Sequence, residues 1–377
     1  MSKKLFIVIL MLTVMLTGCY PSGEVQQSST PTSSGSASDS SDSSEPVSFT
    51  VPNDLKNVKF TFELGDNYPS EVPIIKAKYR IFDAEKIKAM FINGKTIIDE
   101  RLNEGSGYFV TSDGQSLSFR KGGVSYYAAN LSDDAEKKEI YDIQSSAARN
   151  LRFFYLDYQY LDSELEGFSR AEALERAGEL VKMLDIKFLG DPSIYAFTAE
   201  DVENVFHGMY MDKDGNEVIA HLSKEDEFYL VRYYGEYSGI TMPGEIGRIF
   251  EDTSAENTQV DVILTKDSLV QFVCDNVFDS IEAIDTTQIK CGIDAAISKA
   301  HDYYSAKDSA MNYQLEYDSI GISYVTYERD RIEGECTFKP LWHLSGAQYY
   351  TTNGISGHTF TDKFIDPVTG YVYDTGL

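Results

Sequence analysis

Cysteine and tryptophan are nearly absent from this chain, four and one in 377 residues. No Cys-x-x-Cys pair occurs, so a dithiol redox centre or a zinc ribbon has no starting point. Histidine is scarce as well, and His207, His221, His301, His343 and His358 stand far apart. None lies in a His-Glu-x-x-His helix, which excludes the ligand spacing of zinc hydrolases and leaves no metal ligands to name. The apolar run from Leu5 to Leu16 is twelve residues long, against the roughly 20 a helix needs to cross a bilayer. Positive charge is in deficit, with 33 basic residues against 60 acidic ones and a net charge of −27. Such a field repels nucleic acid and anionic headgroups, and it favours solubility, cations and basic partners.

What is present begins at the N-terminus. Lys3 and Lys4 precede the apolar run, and Leu16-Thr17-Gly18-Cys19 follows it, which is the layout of a secretory signal peptide. The leucine at −3, the glycine at −1 and Cys19 resemble the bacterial lipoprotein box. That resemblance implies cleavage before Cys19, diacylglycerol on its sulfur and acylation of the new amino group. The chain is then held at the extracytoplasmic face of the cell membrane by lipid. Removing residues 1–18 takes two lysines away and deepens the net charge to −29.

From Ser28 to Ser44, ten of seventeen residues are serine, and Asp39 and Asp42 add charge. Such a segment buries too little apolar surface to offset its ordering entropy. Residues 19–50 therefore read as a tether, holding the folded part about 30 Å from the anchor on random-coil scaling.

Beyond it, alternation predicts strands over 58–62 and 74–82, and Asp83 is placed to cap a helix running to Phe91. Strands are expected at 106–111, 115–120 and 124–129, with Asp113-Gly114 and Gly122-Gly123 as turns, and a polar helix over 134–150. Ser169-Arg-Ala-Glu172 is a capping box for a helix to Leu184. Strands near 204–211, 217–222, 227–234, 259–264 and 268–273 follow. A helix then carries Ile293, Ala296, Ile297, Ala300 and Tyr304 on one face. Segments 320–327, 338–344 and 364–373 complete the strand pattern. The fold class is α+β, with antiparallel sheets each packed by one or two helices. The expected divisions are 51–132, 133–285 and 286–377.

Ile320-Gly-Ile-Ser-Tyr-Val325, Pro340-Leu-Trp342-His-Leu344 and Ile365-Asp366-Pro-Val-Thr-Gly370-Tyr-Val372 resemble the end of PepSY-like and YycI-like domains. There a strand leads to a proline–tryptophan strand and closes in an Asp-x-x-Thr-Gly hairpin. The resemblance covers about 85 residues and implies repeated α+β units of that kind. It further implies an extracytoplasmic protein that restrains a peptidase or a sensor kinase. The wider layout resembles lipoproteins of Gram-positive Firmicutes.

Other motifs yield no catalytic residue. Ser118-Phe-Arg-Lys121 has the spacing of penicillin-recognising enzymes, but a hairpin sends the two side chains to opposite faces. Gly354-Ile-Ser-Gly-His358 has its second glycine one place too early for a nucleophile elbow. Gly94-Lys-Thr96 lacks the upstream glycine of a phosphate loop. Asp212-Lys-Asp214-Gly-Asn216 opens like a calcium loop, yet position 6 is Glu217 and position 12 is Ser223, so an Asp-Gly hairpin is expected. Tyrosine, at 26 residues, offers packing within strands or a platform for sugars.

With Cys19 lipidated, Cys274, Cys291 and Cys336 allow at most one intrachain disulfide. Cys274 with Cys291 closes a short loop, but all three pairings, and buried unpaired thiols, stay open. The sequence thus points to a lipid-anchored, non-enzymatic protein without cofactor that binds or regulates a membrane- or wall-associated protein. The alternative is a lipoprotein that binds a solute or a glycan.

Overall fold

The computed structural model describes residues 50–64, 68–149, 163–206, 222–242, 258–330, 332–352 and 355–373. Cys19, the serine-rich segment and the Asp212–Asn216 loop lie outside them. The described residues form two sheets in an α+β arrangement that is mostly antiparallel.

The first sheet holds β1 (Val58–Phe60), β2 (Glu71–Tyr79), β12 (Phe278–Gln288), β13 (Tyr313–Asp330), β14 (Glu335–Thr352), β15 (Ile355–Ile365) and β16 (Val372–Tyr373). The second is ordered β3-β4-β5-β6-β11-β10-β8-β7. Its strands are β3 (Ile97–Asn103), β4 (Ser106–Thr111), β5 (Ser116–Arg120), β6 (Gly123–Tyr127), β7 (Ser193–Phe197), β8 (Phe228–Tyr237), β10 (Gln259–Thr265) and β11 (Leu269–Asp275), and β9 (Ile240–Met242) pairs with β8. The second sheet is thus inserted between the two halves of the first. At the crossing point the chain is stitched by backbone bonds: Gly122 donates to Arg80, Val277 to Gly122, and Arg80 to Val277. Gly122 has φ +72, and a Cβ there would come within 2.6 Å of the Tyr79 ring. This turn therefore requires glycine.

Among the described residues, five α-helices cover the sheets. Asp83 caps α1 (Ala84–Phe91), its carboxylate accepting from the Lys86 N–H, and Ser169 caps α3 (Arg170–Met183), accepting from Glu172 N–H. Ile87 and Phe91 of α1, with Ala173 and Ala177 of α3, pack on Phe109, Tyr126, Tyr229, Val262 and Phe272 of the second sheet. On its opposite face α2 (Ala135–Arg149) and α4 (Ala199–Phe206) bring Tyr141, Ile143 and Val202 against Phe228, Leu230 and Ile263. Strand β8 is buried on both faces over eight residues, hence its apolar and aromatic character, interrupted by Arg232. Arg232 of that strand is fully buried and makes a bidentate pair with Asp261 directly across on β10, both contacts 2.7 Å.

In the first sheet α5 (Ile293–Ser305) buries Ala296, Ile297, Ala300 and Tyr304 against Phe60, Tyr317, Trp342 and Leu344. The Asp366–Gly370 turn braces the entry to α5. Asp366 accepts from the Val368 and Thr369 N–H groups, and the Pro367 carbonyl accepts from Lys290 and Cys291. A fourth cluster joins the sheets, setting Ile75, Ala77, Phe278, Tyr324 and Phe338 against Met242 of β9.

Several expectations are corrected. The boundaries at 132/133 and 285/286 fall inside sheets: β6 pairs with β11, while β2 pairs with β12 and β14. Hydrogen-bonded pairing between distant segments, which local patterning does not encode, overrides them. Residues 204–206 are the end of α4, not a strand, and 207–221 lie outside the described residues. Strands β3, β7, β9 and β12, most of β15, and helix α4 lie outside the segments that the sequence pattern predicts. No disulfide joins Cys274, Cys291 and Cys336, because each belongs to a different core cluster. Burial raises the thiol pKa of both Cys274 and Cys291.

Candidate functional site

The long strands β13, β14 and β15 bring together polar side chains that lie far apart in sequence. His343 is directly opposite Gly321 on one side and Phe364 on the other. Ser323 and Asp362 are each two residues along their strands from those partners, so all three share one face. His343 Nδ1 is 3.1 Å from Ser323 Oγ, and Nε2 is 2.5 Å from Asp362 Oδ1. The imidazole stacks on Phe364 at 4.4 Å between centroids. All three polar residues are buried.

These residue types are those of a serine–histidine–aspartate relay. Here the carboxylate can orient the imidazole, and the imidazole can accept from the serine. Ser323 sits within a strand rather than on a sharp turn, however, and its side chain is buried. Among the described residues the constellation acts as a fully bonded polar cross-link between three strands, the state in which buried polar groups are tolerated. Alternation over 320–327 and 338–344 places Ser323 and His343 correctly. Asp362 was out of reach because strand β15 was not foreseen.

A second feature is the outer edge of the first sheet. Among the described residues β12 pairs with β2 alone, leaving one edge open over eleven residues. Most of its side chains are exposed, and Ile284 is 50% accessible. No salt bridge reaches Glu282 or Asp285 among the described residues, whereas Asp279 is bridged to Arg80 at 2.9 Å. Open edges are templates for a further strand. Acidic side chains along this one discourage pairing with a second copy and favour a cationic segment.

The third feature is a cleft of about 310 Å³ at the other side of the same sheet. It is lined by Lys56, Asn57, Lys59, Gln314, Leu315, Glu316 and Tyr349, where β1 runs parallel to β13.

Of the sequence-derived candidates, Cys19 lies outside the described residues. Ser118 and Lys121 fall on β5 and the turn after it. His301 pairs with Asp54 at 2.8 Å. No cluster of three or more metal-ligating side chains occurs among the described residues, and no described helix is long and apolar enough to cross a membrane.

No family model matches the chain, and no curated protein matches it. Among solved structures, an uncharacterised protein from Eubacterium rectale is similar, with a TM-score of 0.60 and 15% identity. The similarity covers 85% of this chain and 91% of that one. At that identity the likeness is one of fold, shared with a bacterial protein along most of both chains.

Proposed function

We propose that this is a lipid-anchored, extracytoplasmic, non-enzymatic protein that holds an extended cationic segment of a membrane- or wall-associated protein along β12. The observation that carries this reading is the open, acidic, eleven-residue edge of β12. A segment added there gains main-chain hydrogen bonds, and Glu282 and Asp285 select basic side chains. The resemblance of the C-terminal sequence to PepSY-like and YycI-like domains supports a restraining role, since that resemblance implies holding a partner in check outside the membrane. The lipoprotein box supports anchoring through Cys19.

The test is site-specific photo-cross-linking in cells from position 284, with mass spectrometry of the joined peptide. The reading expects one reproducible surface protein, joined through a lysine- or arginine-bearing extended segment, and lost in Glu282→Lys/Asp285→Lys. A partner that survives the charge reversal, or no partner at all, overturns it.

A further inference from the structure

The cleft between β1 and β13 holds a set of polar side chains that have no work inside the protein. Lys56 and Lys59 line it, and neither ammonium makes an ion pair or hydrogen bond among the described residues. The same holds for the Gln314 amide, the Glu316 carboxylate and the Tyr349 hydroxyl. Asn57 differs: its side chain donates to the Asp308 carbonyl at 2.8 Å, and its N–H to the Asp308 carboxylate at 2.7 Å, so it fixes the cleft wall. The floor is set by register, with Val58 opposite Leu315 and Lys59 opposite Glu316. Gln314 lies opposite Tyr349, and Tyr349 opposite His358. His358 adds one more uncommitted group to that row, for its Nε2 is buried with no hydrogen-bond partner.

Unpaired lysines are notable in a chain with 60 acidic residues against 33 basic. Carboxylates are available nearly everywhere on such a surface, yet these two ammoniums face an open cleft instead. Their field acts within about 8 Å at physiological salt, a range in which it meets the Glu316 carboxylate of the lining and the Asp308 carboxylate that accepts from the Lys56 and Asn57 N–H groups. Two ammoniums suit one phosphate or carboxylate, as point-charge partners that do not demand planar geometry. Glu316 accepts hydrogen bonds only, and so requires a ligand that also donates. Gln314 can do both, and the half-buried Tyr349 ring offers a flat apolar face. The Tyr349 phenol is held above its ordinary pKa by burial and by Glu316 and Asp318, so it stays a neutral donor. A volume of about 310 Å³ lies at the small end of ligand pockets.

We infer that this cleft binds a polyhydroxylated anion, a sugar or polyol bearing one phosphate or carboxylate. The anion sits between Lys56 and Lys59, hydroxyls donate to Glu316 and Gln314, and the carbon face lies on Tyr349. The ligand can be a free solute or a unit of an anionic polymer.

The experiment is calorimetric titration of the purified full chain with glucuronate and glycerol 1-phosphate, with glucose and inorganic phosphate as controls. The two hydroxylated anions are expected to bind saturably, and each control at least about tenfold more weakly, since each lacks one of the two charge-assisted or hydroxyl contacts. Lys56→Gln/Lys59→Gln is expected to weaken the anions by about tenfold or more without changing glucose. Both lysines are exposed, so the fold survives the change, as far-UV dichroism will show. A repeating polyol phosphate binding more tightly than its monomer identifies the polymer as the source, and equal affinity identifies the free solute. The inference is overturned by an absence of saturable binding for both anions up to about 10 mM. It is also overturned by binding that persists in the double variant, or by inorganic phosphate binding as tightly as glycerol 1-phosphate.

Discussion

The Arg232–Asp261 pair gives the sharpest energetic test of the second sheet. The guanidinium is fully inaccessible and both of its contacts to the carboxylate are 2.7 Å. Gln259 adds a donor to the same carboxylate at 2.9 Å. Removing Asp261 as Asp261→Leu leaves a buried cation with neutral partners such as Tyr234 and no counter-charge, at a cost of about 3–5 kcal/mol. Removing Arg232 as Arg232→Met strands a carboxylate that Gln259 still serves, so the cost falls at the lower end, about 3 kcal/mol. The double change leaves no charge behind and two apolar side chains of suitable volume, and is expected to cost about 1–2 kcal/mol. The coupling between the two positions is then at least about 4 kcal/mol, above the usual range for neighbours. Urea unfolding of the four proteins, followed by near-UV dichroism, measures it. A double variant whose cost equals the sum of the two single costs would refute the argument. The ion pair would then be two independently solvated groups rather than one buried unit.

Three further outcomes follow from the same geometry. Ser323 is expected to resist a fluorophosphonate probe in the native protein, and Ser323→Ala to lower stability by about 1 kcal/mol through the lost bond to His343; rapid labelling at Ser323 would show that the constellation is open to substrates. Cys274, Cys291 and Cys336 are buried and outside any disulfide, so all three are expected to react with a thiol reagent only in denaturant; prompt reaction in buffer, or a missing thiol in denaturant without reductant, contradicts this. Burial, with a smaller push from the Asp113 carboxylate, raises the Tyr126 phenol to about 12. The folded state therefore keeps its proton while the unfolded phenol loses it near pH 10, so this contribution is complete below about pH 10 and lost as pH rises toward about 12. Tyr126→Phe is expected to lessen the alkaline loss of stability, and a wild type–variant difference that stays flat from pH 9 to 12 contradicts the assignment.

The parts of the fold legible in the sequence are those decided by neighbours. Asp83 and Ser169 cap the helices they precede, because a cap needs only one side chain and the next turn of backbone. The face of α5 buried by Ala296, Ile297, Ala300 and Tyr304 follows from 3.6-residue periodicity. Strand β12 was missed because Asp279, Glu282 and Asp285 interrupt its apolar alternation; it is an edge strand exposed along most of its length. The end of helix α4 reads as the start of a strand because Val202, Val205 and Phe206 carry β-forming side chains, and propensity is a weak guide over so short a stretch. The sites were less legible still. Lys59 meets Glu316, and Ser323, His343 and Asp362 converge, only through the register of strands that pattern-reading leaves unpaired.

The nesting of one sheet inside the other has a consequence for how the chain assembles. Val58 waits for Leu315, and Glu71 waits for Gln288, so the first sheet spans separations of more than two hundred residues. The second sheet is built largely from neighbours joined by hairpins, such as β3 to β6, and has short loops to close. As the chain emerges from one end, the inserted sheet can form first and act as a clamp, drawing residues 80 and 277 together at Gly122. The first sheet then closes a gap that its partner has already shortened. Damage to the insert will therefore be felt as slow closure of the outer sheet, far from the altered residue.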